Sequence, residues 1–329
     1  MIGKSEYNNT MSQSASELVI RPLELRDAME IGRITISCRN ETGCDAFYSL
    51  EDYEKLFDTD WLKNGTGLVL ECKSTVLGYG WISVATWRLQ DVISFGLFLS
   101  PRARERSFYQ PLVERLLSEA RHLAVNHKIN HIVFFSRATD HIHPPILTEF
   151  GFVKHPVSML GMSHILEVLP RVEYFPDMAV RAVRLPEEIP LLRRISAAAF
   201  DDPPNQGEPL NWNEDFLLIE KSDPGFKPEQ IMLAEIKEEP IAYLVTFICK
   251  NLPYKAYEIV DFGVIPKWRR RGIGSILLGH ALKWIKDQGA QKVLASTFST
   301  NPAINVFWHN GFRPDHSRTY IFYTREIGL

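Results

Sequence analysis

The chain has 329 residues, 45% of them hydrophobic and 23% charged, with a formal net charge of −3. This composition is typical of soluble globular domains, and the length predicts two of them. The small net charge argues against nucleic acid or an anionic membrane as the main partner. No apolar run approaches the roughly 20 residues that a membrane helix needs.

Residues 1–17 are polar and contain no apolar core of the kind a signal peptide has, so we predict a disordered tail. The four cysteines form no CxxC pair and are widely scattered. This spacing favours reduced thiols in a cytoplasmic protein over a disulfide framework. The cysteines are Cys38, Cys44, Cys72 and Cys249.

The chain contains two halves with the same order of predicted elements. In the first half a strand and an amphipathic helix are followed by an apolar strand at 93–100, a helix at 108–124, a strand at 131–135 and the pair Gly151-Phe152. The second half repeats this order with a strand at 180–185, a helix at 187–200, a strand at 259–265, a helix at 275–287, a strand at 292–297 and the pair Gly311-Phe312. The repetition predicts two similar domains.

The spacing between the halves is nearly constant, because Pro266 follows Pro101 by 165 residues and Gly311 follows Gly151 by 160. Strands that alternate with helices predict a mixed α/β fold, with an α+β mixed sheet in each half. A segment with two prolines, 166–178, breaks the pattern and is the predicted linker. The predicted domains are therefore 18–165 and 179–329.

The most informative stretch is the predicted strand 259–265, a turn at 269–274 and the helix that follows, which Gly289 is expected to end. A helix N-terminus offers unpaired backbone N–H groups and partial positive charge, and so suits phosphate oxygens. Gly272 and Gly274 allow close approach of an anion, and the three arginines at 269–271 add positive charge. We therefore predict a diphosphate site.

Neither of two common phosphate motifs fits this turn. No Gly-Lys-Ser/Thr follows, which excludes a P-loop, and Leu277 stands where a dinucleotide fingerprint needs its third glycine. The stretch instead resembles motif A of the GNAT superfamily of N-acetyltransferases, with a strand ending at 264–266, then Arg269, Gly272 and Gly274. The segment 301–312 is similar to the second cofactor segment of that superfamily, so the resemblance covers about 178–329.

The resemblance implies two tandem GNAT-like acyl-CoA N-acyltransferase folds and acetyl-CoA as the acyl donor. It implies that the amides at 270–275 hold the pyrophosphate and that the strand edge at 262–264 pairs with the pantetheine, with Gly263 marking a bulge that splays two strands. The implied cofactor-binding residues are Phe262, Gly263, Val264, Arg269, Arg270, Arg271, Gly272, Ile273, Gly274, Ser275, Asn301 and Phe307.

For catalysis the resemblance implies direct attack of an amine on the thioester. Glu258, eleven residues before Arg269, matches the position of the base in histone-type members, although an exposed salt-bridge role is an equal alternative. The backbone N–H of Val264 would donate to the oxyanion. Asp261 is a second carboxylate on the strand and should face the side opposite to Glu258 unless a bulge intervenes.

Two positions depart from the family pattern. Phe307 stands where many members have a tyrosine that protonates the leaving thiolate, which leaves Tyr320 and Tyr323 as loose candidates for the acid. The asparagine is displaced by one, because Thr300 occupies its usual place and Asn301 follows.

The first half lacks most of the motif. The offsets from Pro101 that correspond to Arg269, Gly272 and Gly274 give Arg104, Ser107 and Tyr109, and the ungapped counterpart of Glu258 is Ile93. We interpret this half as a degenerate GNAT-like domain that has lost acetyl-CoA binding. The tyrosine should fill the space of the pyrophosphate.

The acceptor is predicted to be a small-molecule amine or a peptide amino group, with the acidic loop 201–215 either attracting a cationic amine or being merely solvated. Nucleic acid, a membrane and a metal are not expected, because the histidines between 122 and 164 lack partners at ligand spacing. The oligomeric state stays open. Two alternatives also stay open: a non-catalytic CoA-binding module, and a longer-chain or thiol-pathway acyltransferase similar to mycothiol synthase.

Overall fold

The computed structural model describes residues 18–42, 65–88, 90–171, 174–201, 225–249 and 252–328. Contacts divide the chain into two compact units: unit 1 comprises 1–156 and 320–329, and unit 2 comprises 157–319. The predicted tail at 1–17, Cys44 and all of the loop 201–215 except Asp201 lie outside the described residues. None of the described helices combines the length and the apolar character required to cross a membrane.

Unit 1 is a mixed sheet with a helix on each face. Its strands are β1 (Leu18–Pro22), β2 (Gly65–Cys72), β3 (Thr75–Trp87), β4 (Gln90–Leu99), β5 (His131–Arg137) and β13 (Tyr320–Glu326), in that spatial order. Its helices are α1 (Ala28–Thr42), α2 (Arg106–His127) and α3 (His143–Glu149). All neighbours are antiparallel except β4 and β5, which run parallel.

Unit 2 has the same plan. Its strands are β6 (Val153–Ile165, in this unit from Val157), β7 (Met178–Ala182), β8 (Ile231–Ile236), β9 (Glu239–Cys249), β10 (Ala256–Val264), β11 (Lys292–Phe298) and β12 (Arg313–Pro314). Their spatial order is β7-β8-β9-β10-β11-β6, with β12 also paired to β6. The helices are α4 (Ile189–Phe200), α5 (Ile273–Asp287) and α6 (Ile304–His309).

Each sheet buries both faces, which explains why the strands are rich in apolar residues. In unit 2 the long helix α5 covers one face, with Leu277, Leu278 and Leu282 fully buried at helical spacing. The shorter α4 covers the other face: it contacts β9 and β10, and its Leu192 and Ile195 share a buried cluster with residues of β8 and β9. The sheet of unit 1 is sandwiched in the same way between α2 and α1.

An arginine with two carboxylates closes the first strand–helix connection of both units. In unit 1, Arg21 bonds to Asp27 at 2.7 Å and to Glu71 at 2.8 Å. In unit 2, Arg181 bonds to Glu188 at 2.8 Å and to Glu235 at 2.5 Å. The first residues of the two clusters are 160 apart and the last 164 apart, which is the spacing of the sequence repeat.

The limits of the units differ from the sequence-based limits of 18–165, 166–178 and 179–329. Residues 157–165 pair with β11 inside unit 2, and the last strand, β13, pairs with β5 inside unit 1. Leu166, at the start of the predicted linker, is buried in the core of unit 2. Sequence periodicity identifies strands but not their partners, so it could not assign these two strands to their sheets.

The cluster around Glu188 leads to a prediction about acid stability. Hydrogen bonds from Arg181 and Arg184 lower the pKa of Glu188 from 4.5 to about 2. The stabilisation is therefore complete above pH 4.5 and is lost as the pH falls from there toward 2. We expect Glu188→Gln to lower the free energy of unfolding by about 1.5–3 kcal/mol at pH 7, which calorimetry would detect as a lower Tm. Near pH 3 the same substitution should lower the free energy of unfolding far less.

The control is Glu30→Gln, which removes an exposed ion pair with Arg33 and should shift the Tm by little at either pH. An equal loss of Tm for Glu188→Gln at both values of pH would contradict the ionic origin of the effect.

Candidate active site

The site in unit 2 is built on an irregularity in β10. The pairing of β10 with β9 shifts register between Ile259 and Asp261, so that Val260 is an extra residue. The parallel pairing of β10 with β11 ends at the same place, with Ile259 opposite Ala295. The bulge predicted at Gly263 therefore lies about three residues earlier, and Gly263 itself pairs in register with Tyr243.

The bulge changes which side chains share a face of the sheet. Glu258 lies opposite Phe247 on β9, and Asp261 lies opposite Val245. Residues 245 and 247 point to the same face, and directly opposed residues share a face. Glu258 and Asp261 therefore both lie on the face that α4 covers. The expectation for a regular strand, that they lie on opposite faces, is corrected by the extra residue.

Beyond the bulge, one edge of β10 is open toward β11. The amide of Ile265 donates to Ile241 of β9 at 3.0 Å. Since amides alternate in direction along a strand, those of Phe262 and Val264 point away from β9, toward the side where β11 has diverged. The Phe262 amide is satisfied by the Asp261 carboxylate at 2.8 Å. This geometry leaves the Val264 amide directed at the open edge of β10.

The turn after β10 prepares the N-terminus of α5. Gly272 precedes the helix with φ of +80°, a conformation that favours glycine, and it has no side chain with which to cap the first amides. Gly274 serves a different purpose, because a Cβ there would lie 3.0 Å from the ring of Phe262. The first glycine sets the backbone direction and the second permits close packing.

The three arginines of the turn differ in their surroundings. Arg269 donates to the carbonyls of Val264 at 2.9 Å and Ala199 at 2.7 Å, and so ties the turn to the ends of β10 and α4. Arg270 lines the cavity described next, with φ of +58°. Arg271 stacks on the ring of Trp268, with its guanidinium carbon 5.1 Å from the ring centre.

A cavity of about 580 Å³ joins the open edge of β10 to the start of α5. Ten of the twelve residues predicted to bind the cofactor line this cavity: Phe262, Gly263, Val264, Arg269, Arg270, Gly272, Ile273, Gly274, Ser275 and Asn301. The further lining residues, which sequence reasoning missed, come from the end of α4, the residue before the turn, the segment before α6 and the first turn of α6: Ala199, Phe200, Trp268, Pro302, Ala303, Asn305 and Val306.

Arg271 and Phe307 are the two predicted cofactor residues that do not line the cavity. Phe307 is only 3% exposed and packs edge-on against Phe262 and Phe312 in the core. Glu258 is also outside the lining. Tyr320 and Tyr323, the loose candidates for an acid, lie on β13 in unit 1.

A buried chain of hydrogen bonds supports the bulge from the α4 side. The hydroxyl of Tyr243 donates to Asp261 at 2.6 Å and shares a hydrogen bond of 2.8 Å with Ser196 on α4. Burial, together with the nearby charge of Asp261, raises the pKa of Tyr243 well above its usual value. The phenol therefore stays protonated and acts as a donor to the carboxylate.

Glu258 has an ionic partner that sequence reasoning missed. Arg318, which is 8% exposed, donates to the Glu258 carboxylate at 2.8 Å. The thiol of Cys249 lies near this pair: burial, and then the charge of Glu258, raises its pKa to about 11.

Among the described residues no group of three or more histidine, cysteine or carboxylate side chains could hold a metal ion.

The corresponding region of unit 1 is built differently. Helix α2 begins at Arg106, five residues after Pro101, whereas α5 begins seven residues after Pro266, so the turn before the helix is shorter by two residues. Tyr109 is buried, and its hydroxyl donates to Glu149 of α3 at 2.9 Å.

The strand of unit 1 also lacks the register shift, since β3 and β4 pair regularly from Gly78 to Trp87. Because the shift adds one residue to β10 only, the structural counterpart of Glu258 is Ser94 and not Ile93. Phe98 pairs with Tyr79 as Gly263 pairs with Tyr243. Unit 1 thus has a ring where unit 2 has the glycine of the cavity.

Comparison with known sequences gives a family match inside unit 2. Residues 192–312 match the sequence profile of the acetyltransferase (GNAT) family. A mycothiol acetyltransferase of Segniliparus rotundus is 29% identical over 143 residues, which are 42% of this chain and 53% of that protein. One of Rhodococcus jostii is 26% identical over 179 residues, or 50% and 58% of the two chains. The matched part spans little more than half the length of these relatives.

Solved structures share the fold along nearly the whole chain. A GCN5-related N-acetyltransferase from Sphaerobacter thermophilus has a TM-score of 0.72 at 16% identity, covering 95% of this chain and 97% of its own. A tandem GNAT protein from the clavulanic acid biosynthesis pathway has a TM-score of 0.66 at 16% identity, covering 95% and 99%. Residues 192–312 are therefore similar to the acetyltransferase (GNAT) family, and the chain as a whole shares the fold of tandem GNAT structures, which agrees with the predicted resemblance and confirms the predicted fold class.

Tyr79 and Tyr243 occupy equivalent places in the two units, and comparing them tests what the Asp261 carboxylate contributes to stability. Tyr79 of unit 1 bonds to Thr35 as Tyr243 bonds to Ser196, but Gly96 stands in the place of Asp261. We expect Tyr243→Phe to cost about 1.5–3 kcal/mol of unfolding free energy in urea titration, because a buried carboxylate loses a donor. Tyr79→Phe should cost about 0.5–1.5 kcal/mol. Equal losses would contradict the special role of the carboxylate.

Proposed function

We propose that unit 2 is an acetyl-CoA-dependent N-acetyltransferase that acetylates a primary amine of a small molecule or a peptide. The observation that carries the proposal is the cavity between the open edge of β10 and the start of α5. The unpaired amides of a helix N-terminus suit a diphosphate, and an open strand edge suits the amides of a pantetheine arm. The cysteine spacing and the family both support a cytoplasmic location.

In this proposal the residues at 270–275 hold the pyrophosphate, with the cation of Arg270 beside it. Arg269 contributes indirectly, because its bonds to Val264 and Ala199 keep the turn against the strand. Arg271, outside the cavity lining, contributes long-range charge. Phe307 supports the floor of the cavity through its contact with Phe262. Asn301 accepts from the amide of Ala303 at 2.9 Å and so shapes the far wall.

The reaction is a direct acyl transfer. The amine nitrogen attacks the thioester carbonyl carbon, a C–N bond forms, the C–S bond breaks, and CoA leaves as a thiolate that takes a proton from water. The Val264 amide donates to the carbonyl oxygen while negative charge develops there. Glu258 receives the proton that the amine loses, and because Glu258 lies outside the cavity lining, a water molecule connects the two.

Two other functions remain candidates. A non-catalytic CoA-binding module is favoured by Phe307, which has no proton to give to a leaving group. An acyltransferase for a longer chain or for a thiol-pathway intermediate is favoured by the likeness to mycothiol acetyltransferases. Binding without turnover across a broad amine panel would select the module. Larger thermal shifts with succinyl- or longer acyl-CoA than with acetyl-CoA would select the other acyl donors.

The pyrophosphate site can be tested with an isosteric pair of substitutions at Gly272. No atom lies within 4 Å of a Cβ built there, and both Asp and Asn tolerate positive φ. We expect Gly272→Asp to weaken acetyl-CoA binding at least about tenfold more than Gly272→Asn, because only Asp adds a negative charge beside the phosphates. Isothermal titration should also give one site per chain, and equal affinities of the two variants would contradict this location.

The base can be tested with Glu258→Gln. We expect kcat to fall by about 10²–10⁴-fold while the Kd of acetyl-CoA stays unchanged, because Glu258 lies outside the cavity. Release of free thiol in the presence of an amine measures the first quantity and isothermal titration the second. Glu239→Gln, which alters an exposed ion pair of the same unit, should leave both values unchanged. Full turnover by Glu258→Gln would contradict the role of Glu258 as a base and leave only its role as a salt-bridge partner.

A further inference from the structure

Arg318 lies in a short, firmly attached segment at the end of unit 2. The segment is held to β6 by two hydrogen bonds with the backbone of Gly161: the amide of Asp315 donates to the Gly161 carbonyl at 2.8 Å, and the Gly161 amide donates to the Thr319 hydroxyl at 3.0 Å. A Cβ on Gly161 would lie 2.6 Å from the backbone of Arg318. Only glycine at this position lets the segment approach so closely.

From this attachment the side chain of Arg318 reaches across the sheet. Its backbone contacts β6, Glu258 is on β10, and β11 lies between these two strands. The guanidinium donates to the carboxylate at 2.8 Å, with Arg318 8% and Glu258 29% exposed. An arginine that is buried along its length and fixed at its backbone has little freedom left to lose, so this pair differs from an exposed surface salt bridge.

The carboxylate is the more exposed partner, and it lies on the α4 face directly before the bulge. Without a fixed cation, a half-exposed glutamate on a strand samples several rotamers. With one, its Oε1 is held at a defined point and its other oxygen keeps acceptor capacity. A general base acts efficiently only when its accepting oxygen is held in a defined position.

We infer that Arg318 is a positioning residue for the acyl transfer: it orients the Glu258 carboxylate so that the second carboxylate oxygen accepts, through the connecting water molecule, the proton of the attacking amine. This inference rests on the proposed function. It makes the turn 315–319 a part of the active site, although that turn follows the family's second cofactor segment and contributes nothing to the cavity lining.

A double-mutant cycle on kcat/KM distinguishes this role from a merely structural one. Arg318→Met, a substitution of similar shape without charge, should lower kcat/KM by about tenfold or more when Glu258 is present. In the Glu258→Gln background the same substitution should change kcat/KM by less than about twofold, because there is no carboxylate left to orient. The Kd of acetyl-CoA should be unchanged throughout.

Arg318→Lys covers the case in which Arg318→Met does not fold. Lysine keeps the charge but not the planar fork, so it should lose part of the activity when Glu258 is present and none in the Glu258→Gln background. An equal loss in both backgrounds, for either substitution, overturns the positioning role. If the unmodified protein acetylates no amine, the proposed function fails and the inference with it; activity without coupling between the two residues overturns the inference alone.

Discussion

One extra residue in a strand determines the geometry of this site. Because Val260 is inserted into β10, the pairing with β11 stops at Ile259, and the strand edge that follows is free to meet a ligand. The same insertion brings Glu258 and Asp261 to one face. A bulge is an unstable place in a sheet unless its polar groups are satisfied. Here the Asp261 carboxylate accepts from the Phe262 amide and from the Tyr243 hydroxyl, so the distortion is stabilised from within.

The two units show how much of this plan is scaffold and how much is site. The arginine–carboxylate clusters, the buried tyrosine bonded to the first helix, and the sandwich of helices recur in both. The site itself differs: unit 1 pairs β4 regularly, has Gly96 and Phe98 where unit 2 has Asp261 and Gly263, and starts its helix sooner after the proline. A Cβ on Gly96 would lie 2.3 Å from the Trp81 ring, so a carboxylate cannot return there without repacking.

The sequence was sufficient to predict what depends on local chemistry. The tandem mixed α/β plan, the turn at 269–274 and most of the residues around the cavity follow from periodicity, glycine spacing and the resemblance. The features that the sequence could not predict depend on pairing between segments that are distant in the chain. The register shift at Val260 leaves no compositional signal, so Gly263 was the natural candidate for the bulge. Arg318 is sixty residues from Glu258 in the chain, and nothing in its neighbourhood distinguishes it from a surface arginine. The sequence could not assign β6 and β13 to their sheets for the same reason, because their pairing partners are distant in the chain.

Phe307 raises the question of how the leaving group is protonated, and packing suggests why a hydroxyl is dispensable there. Its ring contacts both Phe262 and Phe312, and Phe262 is also the residue against which Gly274 packs. The aromatic group therefore connects the open strand edge to the start of α5, and a phenol would need a hydrogen-bond partner in this apolar setting. A thiol has a pKa of about 8.5, so a thiolate is a stable leaving group close to neutral pH. An amine must lose its proton for the transfer to finish, whereas a thiolate can depart without gaining one. In the proposed reaction the step that most needs a catalytic group is therefore the removal of the proton from the amine, which is the role we propose for the Glu258 carboxylate held by Arg318.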